Sequence, residues 1–254
     1  MLEVVLTILG GIGCLAMMGV AMWFWPRLAR TRRVRRLLSR LRRQTTIDRM
    51  LSWAESEKPD LRRASAPDGT VTALFSDIEQ STELTERLGD QRWLEVLEAH
   101  NTVVRAQVAE HGGYEVKSQG DGFMIAFPSA RQAVRCAIDI QRALARRAAN
   151  GELPLRVRIG IHTGEAIQHD GDFYGKSVIL AARIADRAQG GEVLVSSLVE
   201  QLVEPAGDLR FKNAGEAELK GLSEPQQLYR AAWGSSEEPF AETTEVGAAV
   251  GRER

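Results

Sequence analysis

Between Val4 and Trp25 the chain runs for 22 residues without a charge, about the length an α-helix needs to cross a hydrocarbon core of roughly 30 Å. The run predicts one membrane span. Trp23 and Trp25 stand at its C-terminal end, where amphipathic rings favour the membrane interface, and nine arginines with no acidic residue follow between Arg27 and Arg43. An excess of positive charge marks the cytoplasmic flank of a span. A cleaved signal peptide would open with a basic stretch and carry a shorter apolar run, and Met1 to Glu3 supply no basic residue. The expectation is a single-pass protein of the inner (plasma) membrane, anchored over residues 1–25, with the rest of the chain cytoplasmic.

Residues 26–58 read as a basic juxtamembrane helix, because Val34, Leu37, Leu38 and Leu41 recur at helical spacing and Ile47, Met50, Leu51 and Ala54 extend the stripe. Such a stripe fits a parallel dimer seam or a helix lying on anionic lipid equally well. Turn chemistry at Pro67-Asp68-Gly69 makes 59–68 a linker. Five glutamates and little apolar periodicity make 234–254 a disordered tail.

The segment 69–233 has the length of one domain. Thr70 to Ser76 is strand-like and ends at Asp77; Trp93, Leu94, Val96, Leu97, Val103 and Val104 recur as on a helix that Gly112-Gly113 stops. Tyr114 to Ser118 and Phe123 to Phe127 flank Gly120-Asp121-Gly122, which predicts a β-hairpin with Asp121 at its tip. A helix over Ala130 to Arg147, a strand over Leu155 to Ile161, a helix over Gly175 to Arg187 and weaker strands near Val193, Phe211 and Leu228 complete the series. The order βαββαβ with further elements predicts an α/β (α+β) domain, a mixed sheet with packed helices.

Composition narrows the chemistry. Hydrophobic residues make up 44% and charged residues 26%, as in ordinary globular chains. The net charge of -1 hides an asymmetry: without the nine clustered arginines, 24 basic groups face 34 acidic ones. An acidic domain is a poor nucleic-acid binder. Cys14 and Cys136 form no disulfide framework, and His100, His111, His162 and His169 lack metal-ligand spacing. Carboxylates remain. If the strand ending at Asp77 neighbours the hairpin, Asp77 and Asp121 meet at one edge of the sheet, and such oxygen ligands suit Mg²⁺ or Mn²⁺. Two turn aspartates would read the same way.

Six fragments occur in one order: Phe75-Ser-Asp77-Ile-Glu-Gln-Ser-Thr82, Lys117-Ser-Gln-Gly-Asp121-Gly122, Ile159-Gly-Ile-His-Thr-Gly-Glu165, Asp172-Phe-Tyr-Gly175, Ala181-Ala-Arg183-Ile184 and Glu218-Leu-Lys220-Gly221. Together they resemble the catalytic domain of the class III adenylyl and guanylyl cyclases, bacterial adenylyl cyclases above all, across 69–232. The resemblance implies the ferredoxin-like, palm-like cyclase fold and the conversion of ATP to 3′,5′-cyclic AMP and pyrophosphate. It implies two divalent ions, Mg²⁺ or Mn²⁺, per active site, held by Asp77 and Asp121. Such ions lower the pKa of an attacking hydroxyl and steady a triphosphate. Backbone amides from Ile78 to Ser81, before a helix starting near Thr82, are placed for phosphate oxygens. Lys117 and Asp172 match the family's adenine-reading pair, Arg183 matches the arginine that stabilises transition-state charge, and Lys220 matches a triphosphate-binding lysine.

One position departs from the pattern. Four residues before Arg183 the family usually carries an asparagine that orients the ribose; here Ile179 stands. Loss of one such contact typically slows a reaction by about 10²–10³. The resemblance also implies a site shared between two catalytic domains, so a homodimer would carry Ile179 in both. A slow homodimeric adenylate cyclase, a heterodimer partner of another cyclase and a catalytically silent ATP-binding regulator all follow from this arrangement.

Overall fold

The computed structural model of this chain describes residues 45–57, 61–152, 155–165 and 176–234. The expected anchor, the first part of the basic helix, Asp172 and the tail from residue 235 fall outside the described residues. Among the described residues no helix is long and apolar enough to cross a membrane.

Seven strands form one sheet: β1 (Thr70–Ile78), β2 (Tyr114–Gln119), β3 (Gly122–Phe127), β4 (Val157–Glu165), β5 (Val193–Ser196), β6 (Phe211–Ala217) and β7 (Gln226–Ala231). Their order is β2-β3-β1-β4-β5-β7-β6. β4 and β5 run parallel and every other neighbouring pair is antiparallel. Helices are α1 (Thr46–Glu57), α2 (Ser81–Leu88), α3 (Asp90–Glu110), α4 (Ala130–Ala149), α5 (Lys176–Arg187) and α6 (Ser197–Val203). This is the mixed sheet with packed helices that the hydrophobic pattern predicts. The pattern merges α2 with the start of α3, which Gly89 at φ +76° separates, and gives no separate sign of the short α6.

Helices cover both faces of the sheet, which is why β1 is buried from Val71 to Ile78 rather than alternating with water. On one face Leu74, Ile125, Phe127, Ile159 and Ile161 pack with α3, α4 and α6. On the other, Val71, Ala73, Phe75, Met124 and Ala126 pack with α1 and α5. Gly160 of β4 permits the second layer to close: a Cβ there would stand 2.0 Å from the backbone nitrogen of Ala185 on α5.

The stripe expected to face a dimer seam or lipid has a different partner. Ile47, Met50 and Ala54 are fully buried and Leu51 nearly so, all in the layer that covers β1 and β3. Ile47, Met50 and Leu51, withdrawn from water, contribute about 1.5–3 kcal/mol each, so the sheet domain itself holds this helix. The segment after it is packed as well: Leu61 and Ala64, around a 3-10 turn at Arg62–Ala64, are core residues.

Candidate active site

β1 delivers Asp77 at its C-terminal end, on the face it shares with Phe75. The β2–β3 hairpin delivers Asp121 beside it, because β3 pairs with β1 as Ser76 against Phe123, two residues beyond Asp121. Gln119 pairs with Gly122, which leaves Gly120 and Asp121 as a two-residue turn. Gly120 has φ +62°, the sign that a type II′ hairpin requires at its first central position. The two acids expected at one edge of the sheet therefore do meet.

Both carboxylates are buried, Asp77 to 4% exposure and Asp121 to 6%, so their charges need compensation. Arg158, directly across from Asp77 in the β1–β4 register, donates to Asp77 Oδ2 from Nη2 at 2.6 Å and from Nε at 3.2 Å. Thr46 of α1 donates to Asp121 Oδ1 at 3.0 Å. No donor among the described residues reaches Asp77 Oδ1 or Asp121 Oδ2. Burial first, then the Asp121 charge, pushes the Asp77 carboxyl up to about 7 against the pull of Arg158. Two sheltered oxygens that accept and find no proton donor fit a hard divalent cation. No cluster of three His, Cys, Asp or Glu side chains gathers among the described residues.

Beside Asp121 an open cleft of about 250 Å³ is lined by Ser81, Thr82, Thr85, Trp93 and Gly120. The turn leading into it is held from below: Glu79 Oε1 accepts from Gly190 N at 2.8 Å, and Glu79 N donates to the Arg156 carbonyl at 2.8 Å. Gln80 sits in the left-handed region at φ 55°, a conformation that costs a side-chain-bearing residue about 1–2 kcal/mol. That bend opens α2 at Ser81, and its first amides have no partner within the helix. Ile78 is a core residue, 2% exposed and packed with α3 and α4, so it has only its backbone to offer.

The other residues singled out in the sequence lie on α5, on β2 and after β6. Arg183 Nη1 donates to Asp48 Oδ1 at 2.7 Å and to Asp186 Oδ2 at 3.1 Å. Lys220 Nζ stands 3.7 Å from the same Asp48 oxygen. Lys117 Nζ lies 3.9 Å from the centre of the Trp53 ring, a cation–π distance. A β-bulge at Val116 sets Lys117 into this register. Ile179 is half-buried and packs on the layer that contains α1. Asp172 is outside the described residues.

Four residues of this site carry no sequence motif. Arg158 had a sign, a charge inside the apolar strand Val157 to Ile161, but its partnership with Asp77 depends on the strand register. Thr46, Asp48 and Trp53 had none beyond the apolar stripe they flank, since their partners lie 75, 135 and 64 positions along the chain.

Residues 64–231 match the model of the adenylate and guanylate cyclase catalytic domain. An uncharacterized protein of Mycobacterium tuberculosis is 35% identical over 165 residues, which span 63% of this chain and 55% of that protein. The adenylate cyclase of Podospora anserina is 29% identical over 248 residues, 75% of this chain and 11% of that one. This chain thus spans about half of the first relative and a small part of the second. Among solved structures, an adenylate cyclase of Trypanosoma brucei in its monomeric state superposes with a TM-score of 0.60 at 29% identity, covering 70% of this chain and 95% of that one. The adenylyl cyclase CyaB of P. aeruginosa does so with a TM-score of 0.57 at 26% identity, covering 66% and 96%. A matched family model over most of the chain, the shared fold and the pairing of Asp77 at the end of β1 with Asp121 at the hairpin tip agree: the chain belongs to the adenylate and guanylate cyclase catalytic domain family.

Proposed function

We propose that this protein is an adenylate cyclase, which closes ATP to 3′,5′-cyclic AMP with release of pyrophosphate at a site completed by a second copy of the chain. The observation that carries the reading is the pair Asp77 and Asp121, buried side by side with one unpartnered oxygen each. Asp77 and Asp121 would hold two divalent cations, Mg²⁺ or Mn²⁺, which supply a lowered pKa at the attacking 3′-hydroxyl and charge neutralisation along the triphosphate. Arg158 fixes the rotamer of Asp77 and opposes the rise in its pKa. The amides opening α2 receive phosphate oxygens. Arg183 and Lys220, brought from the other copy, place positive charge on the phosphates as negative charge develops there. Lys117 donates to N1 of adenine and Asp172 accepts from its exocyclic amine. Guanine presents the reverse pattern, and mismatched polar groups discriminate strongly, so ATP is the substrate.

Ile179 supports slow turnover, because an alkyl side chain offers the ribose no hydrogen bond. It also favours a second reading, a silent regulator that binds ATP and forms no product, or a heterodimer partner whose aspartates meet another cyclase's asparagine. The uncharged run from Val4 to Trp25 and the arginines after it support a single membrane anchor with the domain in the cytoplasm. The test is direct: the full-length chain is assayed for cyclic AMP from ATP and cyclic GMP from GTP, with Mn²⁺ and with Mg²⁺. Metal-dependent cyclic AMP formation, lost in Asp77→Ala and in Asp121→Ala, is the expected result. Undiminished turnover in either variant would refute the metal assignment, and ATP binding without product would select the silent regulator.

A further inference from the structure

Helix α1 touches four charged groups of the candidate site, Asp121, Arg183, Lys220 and Lys117. Thr46 caps Asp121, Asp48 bridges Arg183 and Lys220, and Trp53 covers Lys117. These contacts fall within eight residues of one 12-residue helix. Asp48 offers an anion to two cations and Trp53 a flat aromatic ring to the remaining lysine, as the phosphates and base of a nucleotide would, while Thr46 offers a hydroxyl to Asp121 in the other half of the shared site. Gly122, beside Asp121, has no side chain because Met50 and Thr46 occupy the space: a Cβ there would lie 2.6 Å from Met50 Cε and 2.7 Å from Thr46 Cγ2.

We propose that α1 is a built-in competitor of the nucleotide, an autoinhibitory helix in which Asp48 stands where phosphate is bound and Trp53 where the base is read. This rests on the cyclase reading of the same residues. With Asp48 in place, Arg183 and Lys220 are already neutralised and offer little to a triphosphate. With α1 in place, the outer face of β1 and β3 around Phe75 and Met124 is already covered and offers nothing to a second copy. Displacement exposes that apolar face to water, so α1 leaves only when nucleotide and a second copy together replace what it supplies. A helix of 12 residues is marginal on its own; the site holds it folded, and it re-forms there when substrate leaves. A protein whose competent state is a minor fraction binds its ligand more weakly by that fraction, so weakening the α1 contacts raises apparent affinity.

The experiment uses the full-length chain in detergent with Mn²⁺ and 3′-deoxy-ATP, which lacks the attacking hydroxyl. Affinity is measured by equilibrium dialysis for the wild type and for Asp48→Asn, Trp53→Ala and Asp48→Glu, and amide hydrogen exchange is followed over residues 46–57. Asp48→Asn and Trp53→Ala each bind the analogue about three- to tenfold more tightly, Asp48→Glu stays near the wild type, and saturation with the analogue speeds exchange over 46–57. A gain in affinity does not arise from misfolding, so it is not mistaken for damage. Equal affinities in all four proteins, with exchange unchanged while the analogue is bound, overturn the autoinhibitory helix and leave the cyclase reading standing. Absence of binding in all four overturns the cyclase reading and this inference with it.

Discussion

Ile179 concentrates the question of rate in a single side chain. It lies one helical turn before Arg183 on α5, so both side chains point toward the same layer. Restoring an amide there costs some packing against the α1 layer and returns a donor and an acceptor for the ribose. Ile179→Asn raises kcat about tenfold or more with little change in KM; an unchanged kcat would show that the ribose is held by other groups or that chemistry is not limiting. A second residue reports on stability. Burial lowers the pKa of His162 from its ordinary 6.5 to about 4, with Nδ1 2.7 Å from Ser196 Oγ. The unfolded chain therefore takes up a proton near 6.5 that the folded chain refuses until about 4. The stability His162 gives is whole above 6.5, is lost as pH falls through that window and is fully lost below 4, up to about 3 kcal/mol. His162→Gln flattens the fall in urea midpoint between pH 7 and pH 4.5; parallel falls in variant and wild type would mean that His162 protonates as freely folded as unfolded.

At the level of elements, the placing of α5 on β4 depends on the missing side chain of Gly160. A Cβ at that position meets helix backbone at 2.0 to 2.7 Å, which no rotamer change relieves. Gly160→Ala pushes α5 off the sheet, lowers stability by about 1–3 kcal/mol, and moves Arg183 enough to cost most of the activity. A variant with an unchanged urea midpoint would show that the layer closes without this contact. The same element shows what a sequence does and does not display. Strand β1, the hairpin with Asp121 at its tip and helices α3, α4 and α5 were legible, because alternation, helical periodicity and Gly-Asp turn chemistry are properties of neighbours in the chain. Asp77 beside Asp121 was legible only as a conditional, since it needed β1 and β3 to pair. The apolar stripe of α1 was legible while its destination was not: a stripe states that a helix buries one face, and the partner, here the sheet 25 to 80 residues later, is a matter of tertiary docking. Arg158 was hidden for the related reason that register, not spacing, sets it opposite Asp77.

For the whole molecule, the charged side chains of the candidate site fall into two groups. The aspartates sit at the end of β1 and the hairpin tip, whereas Arg183 and Lys220 are tied to Asp48 of α1. If each active site takes its aspartates from one copy and its arginine from the other, two defective chains repair each other. In a mixture of Asp77→Ala and Arg183→Ala chains, half of the randomly formed dimers pair one of each. Every such dimer holds one site with both defects and one site with none, because a two-fold dimer exchanges the same surfaces in both directions. Each variant alone is inactive, and an equimolar mixture recovers about a quarter of the wild-type specific activity at concentrations where the chain is paired. Dilution removes the recovered activity together with the dimer. A mixture as inactive as its components would place aspartates and arginine on the same copy, and the reading of the site as shared would fall even if the chain makes cyclic AMP.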